Sequence, residues 1–134
     1  MDEDLDAPDP SAVVRRFGAA WDRLDFDAIA ALLAPDILYH NVPTDPIRGA
    51  AAVDRYLRAA GPFDACRWEF LSIAVAGDTV LTERIDHLTV RGRRIVLPVM
   101  GRFDIAAGLI AVWRDYFDLA NYRAQWPDAE EGGR

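Results

Sequence analysis

Near Gly61-Pro62 the spacing of apolar residues changes from about 3.6 to 2, so a helical half is followed by a sheet half. The sheet half divides into four runs: Cys66 to Val75, Thr79 to Thr89, Ile95 to Ile105 and Leu109 to Asp118. Gly77-Asp78, Arg91-Gly92-Arg93 and Ala106-Ala107-Gly108 separate them. Connections this short join antiparallel neighbours, which predicts a meander. Pro98 within the third run marks an edge or a bulge, because proline cannot donate to a strand ladder.

The helical half begins with Ser11 as the expected N-cap of a helix carrying Val13, Val14, Phe17, Ala20, Trp21 and Leu24 at helical spacing. Asp25 opens a second short helix with Phe26, Ile29, Leu32 and Leu33 inward, stopped by Ala34-Pro35. Ile37 to Val42 reads as a strand ended by Pro43. Gly49 to Ala60 forms a third helix with Val53, Tyr56, Leu57 and Ala60 on one face. This order predicts an α+β architecture: a curved, mainly antiparallel sheet forming a cone, with three helices packed on it. Residues 11–125 form one domain, between a loose acidic segment (residues 1–10) and a loose tail (residues 126–134).

Composition narrows the function. The net charge of −7 argues against nucleic acid or an anionic membrane surface as a partner. The 15 basic residues are all arginine, so no lysine Schiff base or lysine general base is available. Cys66 is the single cysteine and lacks the spaced neighbours that a zinc site requires, so no metal is expected. No basic segment followed by an apolar stretch opens the chain, which points to the cytoplasm.

On the last strand Leu109, Ala111, Trp113, Asp115 and Phe117 share one face, and Asp115 is its only charge. An ionised carboxylate in an apolar wall needs a partner. The Thr79 to Thr89 run offers one, since Val80, Thr82, Arg84, Asp86 and Leu88 share a face. An inward Arg84 could bridge Asp86 and Asp115 with its fork; an outward one would be a solvated ion pair. Tyr39 and Asn41 share a face of the first strand; taken alone they fit a core tyrosine and the start of the turn at Pro43 better than a pair that holds one water between them. His40 and His87 fall on the opposite parity. Leu97, Val99, Phe103, Trp113 and Phe117 are the expected pocket lining, in the apolar style of ligand sites.

Tyr39-x-Asn41, Glu83-Arg84-Ile85-Asp86 and Trp113-Arg114-Asp115-Tyr116-Phe117-Asp118, in this order and spacing, resemble the limonene-1,2-epoxide hydrolase family. The likeness runs from about Val13 to Tyr122 and includes Phe17-x-x-Ala20-Trp21. It implies the nuclear-transport-factor-2-like, SnoaL-like cone, a fold that hosts several chemistries. It also implies that Asp86, Arg84 and Asp115 are catalytic and that Tyr39 and Asn41, with Asp115, hold the attacking water. A homodimer and a small-molecule epoxide substrate are implied in the same way.

Opening an epoxide with water requires a base for the water and an acid for the leaving oxygen. One aspartate, one aspartic acid and one guanidinium supply both and sum to zero charge. The expected reaction makes a vicinal diol from a small terpene- or cycloalkene-type epoxide in one step without a cofactor, and the family resemblance implies Asp115 as base and Asp86 as acid. No Gly-x-Ser-x-Gly elbow suggests a covalent route. The rival readings are an epoxide-opening cyclase, a ketosteroid-isomerase-like enzyme and a ligand-binding protein of the same fold.

Overall fold

The computed structural model describes residues 9–127. Helices α1 (Pro10–Asp22) and α2 (Phe26–Ala31) lead into strand β1 (Leu33–Asn41) and the short β2 (Ile47–Arg48). Helix α3 (Ala50–Ala60) precedes β3 (Ala65–Ala76), β4 (Thr79–Val90), β5 (Arg93–Ala106) and β6 (Leu109–Tyr116), and helix α4 (Leu119–Gln125) follows. The sheet order is β2-β1-β6-β5-β4-β3. The meander is antiparallel as expected, and β1 joins it beside β6 in parallel, with Asn41 opposite Asp115. This parallel step puts the first strand next to the last one, so Tyr39 and Asn41 arrive beside Trp113 and Asp115.

Several local expectations change. Asp9 caps α1, accepting from the Ser11 backbone N–H at 2.9 Å and its hydroxyl at 3.0 Å. Pro10 takes the first helical position, where no N–H is missed. Asp9 and Pro10 are therefore part of the ordered domain rather than a loose segment, while residues 1–8 and 128–134 lie outside the described residues. Asp25 caps α2 as expected, through a 3.0 Å bond from the Ala28 N–H. That helix stops at Ala31, and Leu33 and Ala34 already belong to β1. β6 ends at Tyr116, and Asp118 turns from strand residue to N-cap of α4, accepting from the Asn121 N–H at 3.1 Å.

One correction concerns which way side chains face. Asp104 pairs with Val112 but Ile105 pairs with Ile110, so Ala111 is an extra residue in β6. The bulge shifts the alternation by one. Ile110 is fully buried alongside Trp113 and Asp115, although strict alternation puts it on the opposite face.

Pro98 sits at an edge. β6 pairs with β5 only from Met100 onward, which leaves the first half of β5 open on that side. The side-chain amide of Gln125 on α4 closes part of it, accepting from the Val96 N–H and donating to the Val96 carbonyl, each at 2.8 Å. Two residues on, Pro98 presents its missing N–H to the same side, so no ladder bond is lost.

The helices cover the concave face. Phe17 of α1 sits fully buried among Trp113, Trp68, Phe103 and Trp21, with ring centroids 4.9, 5.6, 6.2 and 6.5 Å away and all four pairs edge to face. Asp22, at the end of α1, accepts from the Trp68 N–H at 2.7 Å and ties the helix to edge strand β3. Phe103 belongs to this aromatic core, stacked on Trp113, and is not on the wall of the cavity described next. It is fully buried, opposite Val80 on β4.

Candidate active site

The inner faces of β4 and β6 carry three charges that meet across β5. Arg84 is wholly buried, and the side chains of Asp86 and Asp115 are 14% and 8% exposed. Arg84 Nε donates to Asp86 Oδ1 at 2.7 Å and Nη2 to Asp86 Oδ2 at 3.2 Å. The same Nη2 donates to Asp115 Oδ2 at 2.7 Å. One guanidinium therefore bridges two carboxylates supplied by β4 and β6, with β5 between them. Desolvating an arginine is costly, and three charge-assisted bonds in fork geometry offset that cost. Trp68 adds a fourth contact, its ring centroid 3.9 Å from Arg84 Cζ.

The electrostatics follow from the burial. Desolvation raises the Asp86 carboxyl above its usual range; Arg84 pulls it back, and the neighbouring Asp115 charge adds to the rise. For Arg84 burial works against the charge, but Asp115 and Asp86 outweigh it and hold the guanidinium protonated. Asp115 Oδ2 is taken by Arg84, whereas its Oδ1 is buried and accepts no bond from the described residues.

Asp86 and Asp115 meet on the wall of an open cavity of about 110 Å³. Tyr39 and Asn41 line the same wall, with Leu97, Val99, Trp113 and Phe117. The Tyr39 ring is stacked on Trp113 at 4.1 Å, which fixes the phenol. Burial, with the Asp115 charge behind it, raises the Tyr39 pKa well above its usual value, so the hydroxyl keeps its proton. Tyr56, Ala60 and Tyr122 form the mouth and continue into an outer groove shared with Arg123 and Trp126.

Nine of the ten residues singled out from the sequence line this cavity or, in the case of Arg84, bridge its acids; Phe103 is the exception. Sequence reasoning missed Trp21, Tyr56, Leu57, Ala60, Phe63, Trp68, Leu88 and Tyr122. Trp68 carried a signal, since it shares the inward parity of buried Cys66 and pairs with Asp86. Tyr122 did too, as Tyr122 and Trp126 follow the Asp118 cap at helical spacing. The two histidines stand apart. His40 Nε2 lies 2.8 Å from the Thr44 carbonyl, and His87 Nε2 lies 2.8 Å from Glu69 on the far side of the sheet. Burial pushes the Cys66 thiol up to about 12, too high for a thiolate nucleophile. Among the described residues no group of three or more His, Cys, Asp or Glu is placed to hold a metal ion, and no helix is long and apolar enough to cross a membrane.

Residues 8–128 match the family described as the limonene-1,2-epoxide hydrolase catalytic domain. The chain is 36% identical over 106 residues to epoxide hydrolase EphG of Mycobacterium tuberculosis, covering 79% of this chain and 71% of that protein. A solved LEH-like epoxide hydrolase from M. tuberculosis superposes with a TM-score of 0.78 at 33% identity, covering 87% of each chain. A proposed SnoaL-like polyketide cyclase from Shewanella putrefaciens gives the same TM-score, 0.78, at 13% identity, covering 88% of this chain and 96% of the other. The last likeness is one of fold alone, and it agrees with the expected nuclear-transport-factor-2-like cone.

Proposed function

The chain belongs to the limonene-1,2-epoxide hydrolase family and is an epoxide hydrolase of that type; from that premise we propose that it converts a small apolar epoxide to a vicinal diol in one general acid–base step. The observation that carries the reading is the Arg84 bridge between Asp86 and Asp115 on the cavity wall.

Two ionised acids and one guanidinium would leave a net negative charge in a buried site, and one proton removes it. Burial raises the Asp86 carboxyl, which supports Asp86 as the acid that carries this proton. Asp115 is the base. It faces Asn41 across the β1–β6 pair, and Tyr39 is stacked on Trp113 two residues along the same strand, so the three surround one position for a water. Asp115 takes a proton from that water while its oxygen bonds to an epoxide carbon. The carbon–oxygen bond opens, and the leaving oxygen takes the proton from Asp86. Exchange with solvent then returns the pair to its starting state. Arg84 holds both carboxylates in place and limits the change of charge during the step.

The apolar walls and modest volume of the cavity favour a compact terpene- or cycloalkene-type substrate. We also propose a homodimer, supported by the apolar side chains of Leu81, Val96, Met100 and Tyr116, 40–52% exposed on the convex face of β4, β5 and β6. Single-turnover hydrolysis of cyclohexene oxide or limonene oxide in ¹⁸O-water tests the chemistry. Label is expected in the diol during the first turnover. Label entering Asp115 first would replace the one-step scheme with a covalent one, and a cyclic ether from a hydroxy-epoxide, with no diol, would favour a cyclase.

A further inference from the structure

We propose that Gly101 is a positioning residue for the Arg84 bridge, with Thr82 completing the seat; the inference rests on the catalytic reading above. Gly101 lies mid-strand in β5, opposite Thr82 on β4 and Asp115 on β6. Glycine weakens a strand interior, and in that setting it often marks a close approach by another group. Its φ is outside the left-handed region, so the backbone itself asks for no glycine here. Space does. A Cβ at residue 101 would fall on Arg84 Nη1, and would stand 2.8 Å from Thr82 Oγ1 and 3.1 Å from Asp115 Oδ1.

None of these atoms can move aside freely. The guanidinium is held by Asp86 and Asp115 and covered by the Trp68 ring, and Nη1 itself points to Thr82 Oγ1 at 3.4 Å. Thr82 is 1% exposed and β-branched, so its hydroxyl has few alternatives. Nη2 serves both acids, so lifting the fork from its seat loosens Asp86 and Asp115 together. The missing side chain at residue 101 is thus what lets one arginine lie flat across β5 and reach both β4 and β6.

The test compares Gly101→Ala in the wild-type and Arg84→Lys backgrounds, with kcat, KM and melting temperature measured for each. Lysine has no Nη1, which removes the closest of the methyl group's contacts and releases the Thr82 hydroxyl from that donor, so that it can turn aside. In the wild-type background kcat is expected to fall on the order of 10²-fold with KM little changed. In the Arg84→Lys background the same replacement is expected to change kcat by about twofold or less. Equal losses in both backgrounds, or a wild-type-background loss under about twofold, would overturn the proposal. If Gly101→Ala does not fold in the wild-type background, folding in the Arg84→Lys background supports it. If it folds in neither, Thr82→Val decides, with a kcat loss of about three- to tenfold at unchanged KM expected and no loss overturning it. Arg84→Lys alone tests the catalytic reading separately. Full activity there defeats that reading, whereas low activity with a harmless Gly101→Ala defeats only the positioning role.

Discussion

The chain contains Arg-x-Asp on two adjacent strands, and the two copies do different things. Arg84 and Asp86 on β4 form a two-bond fork with distances of 2.7 and 3.2 Å; Arg102 and Asp104 on β5 form the same fork at 3.1 and 3.3 Å. The first arginine is wholly buried and the second is 42% exposed. The local geometry is nearly the same, so it cannot be what makes a site. The difference lies in which face of the sheet the pair occupies and in a third group. Asp115 reaches Arg84 from β6, whereas the Arg102 fork bonds only Asp104 among the described residues. An arginine alone with one aspartate is neutral and needs no proton from either partner. An arginine between two buried aspartates leaves room for one mobile proton, which general acid–base catalysis requires.

The largest expected effect separates the two pairs by activity. Asp86→Asn and Asp115→Asn should each lower kcat by on the order of 10²–10⁴-fold while the fold is retained. Asp104→Asn should leave diol formation unchanged. Comparable losses from Asp104→Asn and Asp86→Asn would mean that the sheet responds to any lost ion pair, and the contrast between faces would fail. Stability should separate the arginines next. Arg84→Met leaves two buried carboxylates facing each other without a cation, and a loss of about 3–5 kcal/mol is expected from chemical denaturation at neutral pH. Arg102→Met should leave the denaturation midpoint unmoved, since exposed ion pairs contribute little.

The same contrast explains what could be read from the chain. Parity along β4 places Thr82, Arg84 and Asp86 together, and the single carboxylate among Trp113 and Phe117 marks the inward face of β6. Those two facts already suggest the bridge. They do not tell which face of β4 is inward, because Leu81, Glu83, Ile85 and His87 make an equally mixed set. Family likeness settled that, not periodicity. Ile110 could not be placed correctly, because a single bulged alanine leaves no chemical mark in the sequence. The parallel seating of β1 beside β6 is a long-range choice that no local pattern encodes. Helix α4 was different. Asp118 as a cap with Leu119, Tyr122 and Trp126 behind it was a readable signal, hidden by treating Asp118 as the end of the strand.

A smaller effect compares two tyrosines on neighbouring strands. Tyr39 is 6% exposed, with its phenol on the cavity wall, and Tyr116 is 48% exposed on the convex face. Tyr39→Phe keeps the stacking on Trp113 but removes the hydroxyl, and kcat should fall about tenfold with KM little changed. Tyr116→Phe should have no effect on turnover. A Tyr39→Phe enzyme at full rate would remove the phenol from the water site and leave Asn41 and Asp115 to hold it.

The smallest expected effect is also the most direct reading of the proton. An acid catalyst works only while protonated, so kcat should fall as pH rises through the folded pKa of Asp86, in the range where the base Asp115 is ionised. Burial raises that pKa, which places the alkaline limb above the ordinary carboxylate range. The sign for stability runs the same way. A carboxyl raised on folding contributes its stabilisation in full below its unfolded value, about 3.9, and loses it as pH rises through the folded value. Relative to Asp86→Asn, the wild type should therefore lose stability across that window and change no further above it. Denaturation midpoints at a series of pH values, read beside the kcat profile, should locate the same transition in both. Asp104→Asn should keep the wild-type limb in kcat, because the outer pair never touches the reacting oxygen. If the residual turnover of Asp86→Asn kept that limb as well, the titrating acid would lie elsewhere, and the two Arg-x-Asp pairs would differ in burial but not in chemistry.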